Sequence, residues 1–351
     1  MSPLTEPGAA KIRLLDLSPE EIGAFLSDWG ERPYRAEQLT GWIFRKAAAS
    51  WGEMTDIAAK TRARLARTYD IAPVLTPLLL TESQDQTKKI VWQLSDGTKT
   101  ESVLIPERDH VTLCLSSQVG CGLGCRFCRT GDMGFKRNLT QGEILGQVFG
   151  AKKFLSPDQN LTNLVFMGMG EPLLNPESTV KSLAVLTSPK FLAFSGRHIS
   201  LSTAGVVPEI YRMGALGLDF GLTVSLGAPT DELRDGLMPI NRRYPLKELK
   251  RALKAYPLKK GRRITIAYVL LKDVNDGPHE ALELSRFLTG LKTKINLIPF
   301  NPWSGAPYDR PKEETILKFQ KILRDKYHTV IIRRSKGRDI AGACGQLAGQ
   351  A

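Results

Sequence analysis

The chain has no run approaching 18 consecutive apolar residues, so no membrane-spanning helix is expected. Its opening, "MSPLTEPGAA", has no basic segment followed by an apolar one, and no secretory leader is expected there. Histidine is scarce: His110, His198, His279 and His328 are the only four, and their scatter argues against most zinc sites. Cysteine is scarce as well, with five in 351 residues, an odd number with three bunched together. That pattern excludes a secreted disulfide framework and points to a reducing cytoplasm in which thiols are kept for metal or catalysis. Neither an internal repeat nor a low-complexity tract is present.

Positive charge is in excess. The formal net charge is +13, but residues 1–80 hold equal numbers of basic and acidic side chains, so the whole excess lies in 81–351. The densest stretch, "NRRYPLKELKRALKAYPLKKGRR" from Asn241 to Arg263, has ten Lys/Arg against one Glu. A second runs from Lys318 to Arg338. Such patches favour a polyanionic partner, and for a cytoplasmic protein that means nucleic acid.

The first 75 or so residues read as helices. Ser18, Pro19 and Glu21 in "LSPEEIGAFL" form a capping box with proline at the first helical position. "RPYRAEQLTGWIFRKA" and "MTDIAAKTRARLARTY" read as further amphipathic helices. "IAPVLTPLLLTES", with two prolines, reads as a linker, and the runs flanking Asp96-Gly97 read as a β-hairpin. From about residue 110, β-branched runs at 111–115, 161–166, 198–201, 220–226, 264–270, 294–298 and 329–332 alternate with helical stretches. Alternation of this kind implies parallel strands with helical crossovers, here an open or partial barrel of six or seven units. The expected organisation is a helical domain (1–77), a linker and hairpin extension (78–108) and an α/β partial barrel (109–351).

The unusual residues fall after successive strands. The cysteine run follows the first, "GMGEP" (Gly168–Pro172) the second, "STAG" the third, "SLGAP" the fourth and Asn301-Pro302 the sixth, with Cys344 after the seventh. In a parallel α/β barrel the loops after strands gather on one rim, so these features converge there. Cys121, Cys125 and Cys128 form a C-x-x-x-C-x-x-C run that can wrap one loop around an iron–sulfur cluster. Three ligands leave one of four irons open for chemistry. A structural zinc site is the alternative, and it would need a fourth ligand from Cys114, on an expected strand, or from a distant residue. A dinucleotide fingerprint at "GMGEP" is rejected, because its third glycine is absent and Pro172 interrupts it.

The cysteine run resembles the signature of the radical S-adenosylmethionine (SAM) superfamily. More closely, "LCLSSQVGCGLGCRFC", "GFKRNLTQGEILGQV", "FMGMGEPLLN", "LSTAGVVP", "MPIN", "NLIPFNP" and "ACGQL" resemble the bacterial radical SAM RNA adenine-C2 methyltransferases over roughly residues 100–350. The resemblance implies a partial (β/α)6 barrel with an N-terminal helical RNA-binding domain. It implies a [4Fe-4S] cluster on Cys121, Cys125 and Cys128, and two SAM molecules per turnover. It also implies 23S rRNA and tRNA as substrates, a low-potential electron donor of the flavodoxin or ferredoxin type, and no membrane. A monomer is expected, because the substrate is large and no coiled-coil pattern appears.

By the same resemblance, Cys344 carries the methyl carbon, a radical formed on that carbon adds to adenine C2, and Glu101 removes the C2 proton. Cys114 then attacks Cys344 and releases the RNA. An acceptor thiolate suits this chemistry, because C2 is an electron-poor ring carbon that cannot attack SAM directly. SAM contacts are carried over to Gly170, Glu171, Ser202, Ser225, Leu226, Gly227 and Asn301. The chain departs from the family pattern at Gly227, where His is usual, at Arg129, where a small residue is usual, and at Ala341, where Asp is usual. Rival readings are the C8-specific relative, which shares the five cysteines, and a non-catalytic iron–sulfur RNA-binding or electron-transfer protein.

Overall fold

A computed structural model of the chain describes residues 11–72 and 75–349. The opening decapeptide, where no leader is expected, and Pro73–Val74 of the expected linker lie outside the described residues. Two short parallel strands, β1 (Ile12–Arg13) and β2 (Tyr69–Asp70), bracket helices α1 (Pro19–Asp28), α2 (Pro33–Thr40) and α3 (Ala59–Thr68). The capping box at α1 forms as expected: Glu21 N–H donates to Ser18 Oγ at 3.2 Å, and Ser18 N–H to the Glu21 carboxylate at 2.6 Å. After α2 the chain continues as a π-helical turn over Gly41–Arg45. This turn buries Ile43 and Phe44, and Phe44 packs on Phe191 of the barrel wall.

The next strands form an antiparallel meander: β3 (Thr76–Glu82), β4 (Lys88–Gln93), β5 (Lys99–Pro106) and β6 (Val111–Cys114). The hairpin at Asp96-Gly97 is present, with Gly97 at φ +80° and Asp96 accepting from Thr98 N–H at 2.9 Å. β3 corrects the sequence reading, which placed a linker here. Its side chains are almost all exposed, so it carries no alternation to read. Pro77 is tolerated because β3 is the last strand of the sheet, and the register shifts between Pro77 and Leu79.

β6 also starts the parallel half. A two-stranded ribbon, β7 (Gln118–Gly120) and β8 (Phe135–Asn138), and a single turn, α4 (Arg129–Asp132), follow it. Then come α5 (Gln141–Lys152), β9 (Leu161–Phe166), α6 (Pro176–Thr187), β10 (Ile199–Thr203), α7 (Val207–Ala215) and β11 (Gly221–Ser225). The chain continues with α8 (Asp231–Leu237), α9 (Leu246–Ala255), β12 (Ile264–Leu270), α10 (Pro278–Leu288), β13 (Thr293–Pro299), α11 (Glu313–Asp325) and β14 (Val330–Ile332). All seven expected strands form, within two residues at their ends. They lie in sequential order, β6-β9-β10-β11-β12-β13-β14, every neighbouring pair parallel. With β5-β4-β3 they make one ten-stranded sheet whose end strands are β3 and β14. Sequential order with helical crossovers curls the sheet one way, as in a partial barrel, and sends every βα loop to one rim.

The N-terminal unit is seated on α5. Gln141 Nε2 donates to the Leu15 and Leu17 carbonyls at 3.0 Å each, and Gly142 N–H to Asp16 Oδ1 at 2.9 Å. Gly142 permits this approach, since a Cβ there would lie 2.6 Å from Asp16 Oδ1. Barrel core and N-terminal core are continuous, running from Leu14, Ile22 and Phe44 through Ile144 and Val148 to Leu222 and Ile266.

Candidate active site

The cysteine run sits on the rim after β6. Gly120, at φ +74°, closes the base of the loop against Gly134, and Cys121 N–H donates to the Gly134 carbonyl at 2.9 Å. The other end is pinned by α4: a Cβ on Gly131 would lie 3.0 Å from the Cys125 amide. Cys121, Cys125 and Cys128 are half-buried, and each is within electrostatic reach of at least one other. Burial pushes the Cys121 thiol up to about 12, and burial likewise raises Cys125 and Cys128. A metal that holds them as thiolates therefore releases protons on binding. Three soft thiols on one loop, with no histidine or fourth cysteine in the run, suit an iron–sulfur cluster, whose ligands sit on separate irons.

Glu171 lies against the loop and is within reach of Cys121 and Cys125. It is 4% exposed, and burial pushes its carboxyl up to about 7. Its oxygens accept from Leu173 N–H at 3.0 Å and Ala204 N–H at 2.7 Å, which join the rim after β9 to the rim after β10. The glycines before it serve packing. A Cβ on Gly168 would lie 2.6 Å from Ser116 Oγ, and one on Gly170, at φ +96°, 2.8 Å from the Gln118 amide. The chain's own segment 115–118 fills the space beside their α-carbons.

Ser202, next to last in β10, and Ser225, last in β11, are both part-exposed, and among the described residues neither hydroxyl has a hydrogen-bond partner. Leu226 and Gly227 are buried, with Asn275 Nδ2 donating to the Gly227 carbonyl at 2.8 Å. Gly227 has φ +74°, and a Cβ there would run into Met238, so glycine suits this backbone. Asn301 is 2% exposed and turned onto the C-terminal segment, donating to Ser335 Oγ at 3.0 Å and to the Cys344 carbonyl at 3.1 Å.

Sequence reasoning missed Arg234. It is fully buried and donates from Nε to the Leu226 carbonyl (2.8 Å), from Nη1 to Asn241 Oδ1 (2.7 Å) and from Nη2 to the Ala204 carbonyl (2.6 Å). Burial pulls it down to about 10, against the pull of Cys125, Asp231 and Asp235. One guanidinium thus ties the loops after β10 and β11 together below the cysteines. Its partner Asn241 belongs to the "MPIN" motif, the one signal that could have found it.

The segment from Ala343 to Gly349 returns beneath the cysteine loop. Arg129 N–H donates to the Gly345 carbonyl at 2.8 Å, and Thr130 Oγ1 to the Leu347 carbonyl at 2.7 Å. Gly345 has φ +82°, and a Cβ there would lie 3.3 Å from the Phe127 carbonyl. Gln346 braces the turn by donating to the Pro302 carbonyl at 2.7 Å. Cys344 is thereby held within electrostatic reach of both Cys128 and Cys114. Cys114 and Cys344 line one cavity of about 80 Å³ with Met167, Arg333, Ser335 and Lys336. Burial and the neighbouring Cys344 push the Cys114 thiol up to about 12, while Arg333 and the Met167 amide pull against that rise. All five cysteines are free thiols.

Glu101, on β5, is 1% exposed. It accepts from Ala348 N–H at 3.0 Å, and Lys89 Nζ lies 3.7 Å away. Burial raises its carboxyl, and Lys89 with the Ala348 and Gly349 amides opposes the rise. Of the other departures, Arg129 pairs with Asp132 at 2.8 Å and lies over the Trp303 ring. Ala341 takes a left-handed turn at φ +51°, its amide donating to the Arg338 carbonyl at 3.3 Å.

Comparison with known proteins agrees with this geometry. The radical SAM superfamily model matches residues 115–285, and the model of the ribosomal RNA large subunit methyltransferase N-terminal domain matches residues 12–71. The dual-specificity RNA methyltransferase RlmN of Geotalea uraniireducens is 44% identical over 340 residues, covering 97% of both chains. Its counterpart in Geobacter sulfurreducens is 46% identical over 339 residues, covering 97% of this chain and 92% of its own. The crystal structure of a radical SAM methyltransferase from Sphaerobacter thermophilus superposes with a TM-score of 0.90 at 42% identity, covering 97% of this chain and 100% of that one. A radical SAM core and a matching N-terminal unit in one chain, with identity along almost its whole length, place it in the RlmN family of radical SAM RNA methyltransferases.

Proposed function

We propose that the chain methylates C2 of an adenosine in the peptidyl-transferase centre of 23S rRNA and of the adenosine 3′ to the anticodon in some tRNAs. The reaction passes through a covalent link between Cys344 and RNA that Cys114 breaks. The observation that carries this reading is the shared cavity: Cys114 and Cys344, far apart in sequence, face one space beside the cluster loop. A passive pair of buried cysteines has no need of a glycine-dependent, multiply braced turn that brings one of them there.

Two SAM molecules per turnover and a [4Fe-4S] cluster, reduced by a flavodoxin- or ferredoxin-type donor, supply when bound the methyl group and the one-electron cleavage that activates it. Cys121, Cys125 and Cys128 would hold the cluster. Glu171, the free hydroxyls of Ser202 and Ser225, and the backbone of Gly170, Leu226 and Gly227 would hold SAM, with Asn301 anchoring the segment that carries Cys344. Cys344 Sγ bears the carbon whose radical joins adenine C2; Glu101 takes the proton from C2, and the unpaired electron left by the addition leaves the adduct for a one-electron acceptor, a role the oxidised cluster would fill, so that the ring regains its aromaticity. The Cys114 thiolate then attacks Cys344 Sγ. An S–S bond forms and the S–C bond breaks. The electron pair of that bond stays with the product carbon, which takes up a proton to complete the methyl group.

The RNA substrate accords with the charge distribution. Arg242, Arg243, Lys247, Arg251, Lys254 and Lys260 are exposed along and around α9, and among the described residues no carboxylate lies within ion-pair distance of any of them. A ridge left uncompensated in this way suits a phosphate backbone. The helical N-terminal unit, bracketed by β1 and β2, serves as an accessory RNA-binding domain.

The test is Cys114→Ala enzyme, reconstituted anaerobically with iron, sulfide and SAM and given unmodified rRNA. A stable protein–RNA adduct is expected, and nucleoside mass analysis of wild-type product places the methyl at C2. Recovery of the variant free of RNA with turnover intact would refute the resolving role, and a C8 product would refute the regiochemistry.

A further inference from the structure

We propose that Lys89 is a positioning residue for proton removal: its ammonium group holds the Glu101 carboxylate ionised and in place beside the segment that carries Cys344. The inference rests on the reading of Glu101 as the base that takes the C2 proton. In the β4–β5 pairing, Val91 lies opposite Glu101, so Lys89, two residues along β4, shares the sheet face of Glu101. Lys89 Nζ is 3.7 Å from Glu101 Oε1, with the two side chains 12% and 1% exposed.

A lysine this buried is rare without a partner, and Glu101 is the only carboxylate within ion-pair distance of it among the described residues. Its neighbour Lys88 faces the other side of β4 and bonds elsewhere, its Nζ donating to the Phe154 carbonyl at 3.1 Å, just beyond α5. Around Glu101, β4 brings the charge of Lys89. The C-terminal segment brings the uncharged amides of Ala348 and Gly349, and neutral Thr100 and Met169 meet beside it at 3.9 Å.

The need for a fixed cation follows from burial. A carboxylate removed from water is driven towards its neutral form, which cannot accept a proton. Burial acts on Glu101 in that direction, and Lys89 is the one charge opposing it. Two amides of the C-terminal segment orient the carboxylate, but they carry no net charge. Lys89, fixed on β4, supplies it.

The experiment compares wild type, Lys89→Met, Lys89→Arg and Glu101→Gln as full-length reconstituted enzyme in single-turnover methylation across pH. Loss of the cation raises the Glu101 pKa, so the acid limb of the Lys89→Met profile should move up by about 1 pH unit. The rate then falls about tenfold below the limb and recovers at higher pH, while Lys89→Arg returns the limb towards wild type. An infrared difference titration of the Glu101 carboxylate, taken against Glu101→Gln in both the wild-type and Lys89→Met backgrounds, should show the same upward shift without any turnover. A rate loss uniform in pH, or a raised KM for RNA with an unmoved profile, overturns the inference and makes Lys89 a packing or phosphate contact. Normal turnover by Glu101→Gln instead overturns the assignment of the base, a separate outcome.

Discussion

Replacing Arg234 by methionine keeps most of the side chain's length and bulk and removes its charge and its donors. Three acceptors then lose a partner, but not equally. The Leu226 carbonyl keeps the Ala228 amide at 2.9 Å, whereas the Ala204 carbonyl and Asn241 Oδ1 lose their bonds to the guanidinium. An orphaned buried acceptor costs about 1–3 kcal/mol, so the pair costs roughly 2–6 kcal/mol. Relief from burying a cation offsets part of this, on the order of 1–3 kcal/mol. The net expectation is a loss of about 2 kcal/mol, measured by urea denaturation monitored by circular dichroism. Arg234 ties the loops after β10 and β11, so SAM affinity in equilibrium dialysis should also fall, by about tenfold. A stability loss under about 1 kcal/mol with unchanged SAM affinity would show that the loops hold their geometry without the guanidinium.

Gly170→Ala should destabilise the protein by about 3 kcal/mol, since alanine meets both a left-handed φ and the Gln118 amide 2.8 Å from its Cβ; a denaturation midpoint within error of wild type would contradict this. Changing Lys247, Arg251 and Lys254 together to Gln should lower the log–log salt slope of RNA binding by about 2–3, at roughly 0.7–0.9 per lost phosphate contact. An unchanged slope, with slower reduction by an acidic flavodoxin instead, would assign the ridge to the electron donor.

The barrel was legible in the sequence for a simple reason. Its central strands, β11 and β12, are buried on both faces and read as short β-branched runs, and most of the helices between strands open on a side-chain cap (α5, α8) or an early proline (α6, α7, α10). The hairpin at Asp96-Gly97 was legible because its turn chemistry is local. β3 was not, because an exposed end strand has no hydrophobic pattern and its proline reads as a break. The "GMGEP" glycines were placed on the right rim, but the close approach of segment 115–118 to them was not legible: a positive φ is a local property, while what fills the space beside it belongs to another part of the chain.

Three thiols within eight residues announce their own chemistry, because a single loop can bring them together whatever surrounds it. The remaining contacts of the site are non-local. Lys89 meets Glu101 across a strand pair, Arg234 meets carbonyls from two different loops, and Ala348 meets Glu101 from the far end of the chain. Composition, spacing and strand order by themselves determined the cluster loop, the parallel sheet and the rim on which the site lies. Only tertiary packing decided which buried charge faces which, because a charge inside a protein is stable only beside a partner, and that partner can come from any position that the fold brings near.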